Sequence, residues 1–494
     1  MNRTRPLFCP RNLSGFAILG MLAIAVAMSA QELPQLTLVK ISKDNFHNPD
    51  SQHKTEVEPD TFAWGSTMVS TFQVARVYEG GGADIGFATS TDGGSTWVHG
   101  SLPGLTDNYK GGTFSAASDA SVAYDAKHGQ WLISSLPIGN AGLDVAVSRS
   151  ADGIHWGNPI LVDRSGGDDK NWIACDNTPS SPFYGNCYTE WDSGSVLMST
   201  SSDGGLTWGP AKAPADFAFG VGGQPLVQPN GKVVVPIAGD SGMIVFRSTD
   251  GGASWSATTL ISDVINHFEA GDLRSPNLPS AEIDGAGKIY VVWSDCRFRT
   301  GCSANDLVMS TSKNGTTWTK PARIPIDGVK STVDHFIPGI GVDPATSGAS
   351  AHLTVTYYYY PVSNCSNCDL DVGFVTSQDA GQTWTHGKKL AGPMKLNWLP
   401  DTFSGRMVAD YISTSYVNGN PFGVFMVAKA PVGGLMNQAA YTTSTPLVAA
   451  ANEPRFSSKG EKPVPNAKSD HPYIRFRDVE PEFPGPPRKQ AVRR

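Results

Sequence analysis

A chain of 494 residues with 53 Gly and 35 Pro is too rich in turn formers for a helical protein, and 40% hydrophobic with 10% aromatic residues is too apolar for a disordered one. The formal charge of −7 gives no electrostatic basis for binding nucleic acid. An all-β fold of many short strands around a large core is the expectation.

Residues 1–30 carry Arg3, Arg5 and Arg11, no acid, an apolar run over 16–28, and small residues at Ala25, Ala27, Ser29 and Ala30. This is the layout of a secretory signal peptide. The apolar run is shorter than the roughly 20 residues that span a bilayer, so a secreted or periplasmic protein with no transmembrane segment is expected. Loss of the three arginines takes the net charge from −7 to −10. Of seven Cys, Cys9 leaves with the signal and six remain, an even number suited to an oxidising compartment. Proximity suggests the pairs Cys175 with Cys187, Cys296 with Cys302, and Cys365 with Cys368, out of about 15 possible connectivities. The C-x-x-C segment at 365–368 has neither a second pair nor a flanking His, so it reads as a structural disulfide and not as a zinc or redox centre.

Six segments repeat one pattern: 90–97 (STDGGSTW), 150–156 (SADGIHW), 201–208 (SSDGGLTW), 248–255 (STDGGASW), 312–318 (SKNGTTW) and 377–384 (SQDAGQTW). Their third positions are Asp92, Asp152, Asp203, Asp250, Asn314 and Asp379, at intervals of 60, 51, 47, 64 and 65 residues. That spacing is one four-stranded unit plus loops. Asp or Asn accepts bonds from the N–H groups of its own turn, Gly supplies positive φ, and Trp anchors the returning strand. The repeated acids therefore build turns.

The six copies resemble the Asp-box (BNR) repeats of the sialidase superfamily over roughly residues 56–445. The resemblance implies a β-propeller of four-stranded blades, with each box joining the third and fourth strands on the face opposite the active site. Third strands are then expected at 84–90, 144–150, 195–200, 243–248, 306–311 and 369–376, and second strands include 232–236, 288–293 and 353–360. Segments 407–417, 422–429 and 438–443 read as three further strands without a box, and 36–41 can supply the fourth and close the ring. Seven blades are expected, with six as the alternative. The propeller domain spans 31–451. The tail over 452–494, with eight Pro, ten basic and six acidic residues, reads as a disordered or loosely attached extension, although 471–477 can dock. Without it the ring carries a net charge near −14.

If the boxes mark one face, function belongs on the opposite rim. The resemblance to sialidases implies three Arg clamping a substrate carboxylate, a Tyr nucleophile paired with Glu, and an Asp acid/base. Rim candidates are Arg76, Arg274, Arg297 and Arg406 for the clamp, Tyr411 with Glu190 for the nucleophile pair, and Asp60 or Asp119 for the acid. The family's Arg-Ile-Pro signature precedes the first box. Here the one such tripeptide, at 323–325, follows the fifth box and reads as a chance match. No metal or cofactor is expected, with calcium near Asp168 and Asp169 or at Asp369 and Asp371 as the alternative. His335 and Tyr357 to Tyr360 read as structural, two of the tyrosines packing between blades and two reaching the rim. The expected activity is that of an exported exo-glycosidase, exo-α-sialidase-like, acting on a terminal sugar that is acidic if the arginines converge. The alternative is a non-catalytic monomeric propeller that binds extracellular glycan or protein.

Overall fold

A computed structural model describes residues 36–450 and 452–469. The expected signal peptide and the 471–477 segment lie outside the described residues.

The strands follow one rule of pairing. Ser51–Trp64, Thr67–Val77, Gly82–Ser90 and Val98–Ser101 pair antiparallel in chain order, and the order recurs in Ser280–Ile283 to Ala322–Arg323 and in Asp334–Val342 to Lys388–Lys395. Their first strands lie side by side in chain order, and Ser51–Trp64 touches both Ala116–Asp125 and Ser413–Val417, so the series closes on itself. The fold is an all-β propeller. Leu38–Lys40 pairs with Gln438–Thr443, Leu38 opposite Thr443, so the beginning and the end of the described propeller share one sheet. The third strands end at the repeated turns, as the spacing predicts. The segment expected as a strand over 407–417 is regular only from Ser413.

Polar side chains on the first strands tie neighbours together around the axis. Asp60 Oδ2 accepts from the Val122 N–H at 2.8 Å, Gln224 Oε1 from the Ala281 N–H at 2.6 Å, and Ser280 Oγ from the Ile340 N–H at 3.0 Å. Thr414 Oγ1 donates to the Gly339 carbonyl, and the Thr61 hydroxyl meets those of Ser413 and Ser415 at 2.8 Å each. Between sheets the packing is apolar, for example Tyr188, Val235 and Phe246 with Trp255.

The six repeated turns share one hydrogen-bond scheme. Asp250 Oδ1 accepts from the Ser254 N–H at 2.9 Å and from the Ser248 hydroxyl at 2.8 Å, while Oδ2 accepts from the Ser254 hydroxyl at 2.5 Å. These bonds hold the carboxylates of Asp203, Asp250 and Asp379 below their ordinary range, overcoming what burial alone would do. Gly252 has φ of 85°, and a Cβ there would collide with Thr200 Oγ1 on the preceding sheet. Asn314 shows that an amide oxygen suffices, accepting from the Thr316 and Thr317 N–H groups. Asp250→Ala is therefore expected to lower stability by about 1–2 kcal/mol in urea unfolding, and Asp250→Asn by less than half of that.

All three disulfides pair as proximity suggests: Cys175–Cys187, Cys296–Cys302 and Cys365–Cys368. The tail departs from the reading of a loose extension over 452–469. Phe456 exchanges two backbone hydrogen bonds with Trp384 at 2.7 and 2.8 Å and lies 3.7 Å from the His386 ring. Glu453 pairs with Lys388, Glu461 lies 3.5 Å from Arg323, and Val464 donates to the Arg297 carbonyl. A few aromatic and charged anchors thus hold a Pro-rich stretch that composition alone assigns to solvent.

Candidate functional site

The first strands carry a recurrent irregularity. In four of them a bulge sets two residues opposite one: Glu58 and Pro59, Asp119 and Ala120, Lys170 and Asn171, Ile337 and Pro338. The first residue of each pair has positive φ, of 55°, 45°, 40° and 48°. Side chains in this conformation cost about 1–3 kcal/mol each and are found where a group must be aimed. Three of the four are ionisable, and they meet. Gly222, with φ of 71°, occupies the corresponding place in another first strand, and a Cβ on its neighbour Gly223 would press on the Glu190 carboxyl carbon at 2.7 Å.

Around these bulges Lys170 Nζ lies 3.0 Å from Asp119 Oδ1 and 3.4 Å from the centre of the Tyr411 ring. Ser118 donates to Asp119 Oδ2 at 2.7 Å, and Gln73 Nε2 donates both to Ser118 Oγ at 3.1 Å and to Glu58. Arg274 grips Asp410 through Nε and Nη2 and reaches Ser404 Oγ at 3.3 Å. Arg76 donates to Gln73 Oε1 and the Gly81 carbonyl. The cluster lies in the floor of the rim: the Arg274 side chain is 25% exposed and that of Asp119 is 10% exposed, while Glu58 is 1% exposed.

Burial, reinforced by Asp119 and Asp410, pushes Glu58 well above the usual carboxyl range. Burial acts on Asp119 in the same sense, but Lys170, the Ser118 hydroxyl and Arg274 outweigh it and hold this carboxyl low. Burial pulls against the charge of Lys170, yet Asp119 and Glu58 prevail and raise it. Burial and the neighbouring Arg274 lower Arg76 to about 10. Two carboxyls linked through Gln73 and Ser118 are thereby driven apart in proton affinity, the arrangement in which one acts as acid and the other as base. The Tyr411 hydroxyl donates to the Ala120 carbonyl at 3.2 Å, and burial among Glu58, Asp119, Asp60 and Asp410 raises its pKa.

Of the residues singled out from sequence, the structure brings Tyr411, Asp119, Arg76 and Arg274 together. It places four elsewhere. Asp60 is engaged with the Val122 N–H on the far side of the bulge, where burial raises it to about 7. Glu190 is fully buried beside Gly223, and burial pushes its carboxyl well above the usual range against the opposing charge of Lys170. Arg297 is taken up by Asp295 of its own loop at 2.7 Å and by Asp263 at 3.4 Å. The Arg406 side chain turns to Asp401 at 3.7 Å, although its backbone is bonded to Arg274. Arg323 of the Arg-Ile-Pro tripeptide is buried between Asp306 and Asp327.

Sequence reading did not assign roles to Glu58, Lys170 and Asp410. Each lies within two residues of one it did single out: Asp60, Asp169 and Tyr411 respectively. Glu58 and Lys170 take their places through bulges that the sequence does not announce.

The calcium alternatives are not supported by the local pairing: Asp371 meets Lys389 at 2.7 Å, Asp369 meets Lys395, and Asp168 accepts from Ser165. Asp306, Asp327 and His335 bring three potential ligand atoms together, but Arg299 and Arg323 already neutralise the two carboxylates. Tyr357, Tyr358 and Tyr360 are buried and Tyr359 is half-buried, so fewer rings face outward than the expected two. A cavity of about 410 Å³ lies along the axis on the repeated-turn side of the bulges, lined by Asp60, Trp172, Glu282 and Ser413 among others. It is separate in position from the ionic cluster, whose chemistry it does not contain.

The chain matches no protein-family model and no curated protein. Solved structures that it resembles include a Hadza microbial sialidase, with 14% identity, TM-score 0.41, and coverage of 81% of this chain and 67% of that one. A leech intramolecular trans-sialidase gives 12%, 0.40, 85% and 70%. The intramolecular trans-sialidase of Ruminococcus gnavus gives 13%, 0.41, 85% and 99%.

Proposed function

We propose that the protein is an exported Asp-box propeller of seven blades that acts as an exo-glycosidase on a terminal acidic sugar at the rim cluster. The blades are the meanders that begin at Ser51, Ala116, Asp169, Gly220, Ser280, Asp334 and Ser413. The eight-stranded sheet counts as two, since Gly82 opposite Ala117 is the one register pair between its halves. The observation that carries the functional reading is the convergence of Arg76, Lys170 and Arg274 on Glu58, Asp119, Asp410 and Tyr411. With Glu58 in the protonated form that burial favours, three cations face two carboxylates, and the surplus suits a sugar carboxylate. Asp119, the more accessible of the linked carboxyls and the one its neighbours hold low, is assigned the role of general base.

A second reading, a non-catalytic glycan-binding propeller, draws on Tyr411. Its proton is held by a carbonyl and its ring is covered by Lys170, which is not the state of an activated nucleophile. Mature protein tested on a panel of fluorogenic terminal-sugar substrates decides between them. Turnover of an acidic-sugar substrate is expected, lowered about 100-fold or more by Asp119→Asn. Binding on a glycan array without turnover of any sugar would establish the second reading instead.

A further inference from the structure

The axial cavity is bounded by first strands, in which alternate residues share a face, as Trp172 and Ala174 do on one strand and Ser280 and Glu282 on another. Its volume of about 410 Å³ is that of a small-molecule site, which runs from roughly 300 to 1,000 Å³. Trp64 and Gly285 line it and are exposed, so it opens to solvent on the repeated-turn side. Trp172 divides it from the ionic cluster, since its ring stands edge-on to that of Tyr411 at 5.2 Å. The charge inside has one sign: the lining holds Asp60, Glu282 and Asp284 and no Lys, Arg or His. Asp284 is taken up by its own turn, accepting from the Ala286 and Lys288 N–H groups at 3.0 and 2.9 Å. Glu282 is half-buried, and its carboxyl accepts from the Ile283 N–H next to it with no cation to offset its charge among the described residues. Burial and the charge of Asp60 raise it to about 8.

We propose that the axial cavity is a second binding site, for an organic cation made of a primary ammonium group on an apolar body. The ammonium group sits between Asp60 and Glu282, and the apolar body lies against Trp172 and Ile340. A cation between the two carboxyls takes over the part that a bound proton otherwise plays there, and so favours their ionised forms. Three N–H donors also suit the hydroxyls next to Asp60, where Thr61 meets Ser413 and Ser415 at 2.8 Å each and every oxygen retains accepting capacity. A divalent metal fits less well, because Asp60, Glu282 and Asp284 do not bring three ligand oxygens within 4.8 Å of one another. The aromatic wall has no such objection to an organic cation, which it attracts through the ring face. The site does not depend on the activity assigned to the rim, which lies across Trp172.

The test uses the full chain and two probes of nearly the same shape, 2-phenylethylamine and its neutral analogue 2-phenylethanol. Titration calorimetry is expected to show the amine binding at least tenfold more tightly than the alcohol. Glu282→Gln removes a charge from a side chain that ties no strands together, so the fold is kept. It should reduce the preference for the amine to less than threefold and change affinity for the alcohol by less than twofold. Ala174→Phe, which fills the cavity from its wall, should abolish binding of both probes. Equal affinities for amine and alcohol in the unaltered protein, an amine preference that survives Glu282→Gln, or no binding of either probe would overturn the site. Binding of calcium that Glu282→Gln abolishes, with no response to the amine, would put a metal in place of the organic cation and equally overturn the proposal.

Discussion

Replacing Arg274 by alanine is expected to destabilise the protein by about 3–5 kcal/mol and to abolish binding of an acidic sugar. Asp410 is 4% exposed and has Arg274 as its bidentate partner, with Glu58 close to both groups. Taking away the guanidinium strands a buried carboxylate among others of like charge. Arg274→Lys should recover only part of the loss, because an ammonium cannot bridge both oxygens of Asp410 in one plane. The stability effect and the binding effect can be separated. Arg274→Met combined with Asp410→Asn removes both charges, so urea unfolding should return to within about 1–2 kcal/mol of the parent. The same double variant should still fail to bind the acidic sugar. Recovery of binding in it would show that Arg274 serves only the fold.

Thermal stability is expected to peak near about pH 5 and to fall on both sides. On the alkaline side, burial raises Glu56 and Glu282 from 4.5 to about 8, and Asp60 and Asp168 from 3.8 to about 7. Such groups favour the folded state fully below their unfolded pKa, and that contribution is lost as pH rises through the folded value. Each unit of displacement is worth about 1.4 kcal/mol, so ionising buried Glu56 alone costs several kcal/mol. For a domain of this size the melting temperature moves by roughly 1 °C per kcal/mol, so a fall of roughly 5 °C or more between pH 5 and 8.5 is expected. On the acid side the sign reverses. Asp203, Asp250 and Asp379 are depressed by their turns, so their contribution is present above the unfolded pKa and is lost as pH falls through the folded one. Scanning calorimetry from pH 3 to 9 checks both limbs, and Glu56→Gln with Glu282→Gln should flatten the alkaline one. A melting temperature that rises steadily to pH 8 would contradict these assignments.

The architecture was open to sequence reading because it is repetitive. Six turns with Ser, Asp or Asn, Gly and Trp in the same order announce six third strands, and Val- and Tyr-rich runs such as Leu353–Tyr360 locate second strands. The site was harder because its geometry arises from bulges. Nothing in the alternation around Glu58 or Lys170 shows that backbone φ turns positive there and sends the side chain toward the cluster. Asp60 illustrates the cost: two residues further along the same strand, it falls on the other side of the irregularity and stitches two strands together. Arg297 fails for another reason. Asp295 two residues before it and Asp263 beside it already hold the guanidinium, so this charged rim residue is satisfied locally and has no part in the centre. The tail over 452–469 was misread because composition reports averages, whereas Phe456, Glu453 and Glu461 anchor it one at a time.

The pairing of Leu38–Lys40 with Gln438–Thr443 bears on how the molecule is made. A strand synthesised near the start has no complete partner sheet until about 400 further residues have followed, because its hydrogen bonds fall to one of the last strands. Until then the growing array is an open arc with two unpaired edges, and an unpaired edge invites association with other chains. The final clasp is thus a late event that joins the two ends of the propeller. Truncation anywhere before residue 443 should leave an arc that aggregates, not a smaller ring.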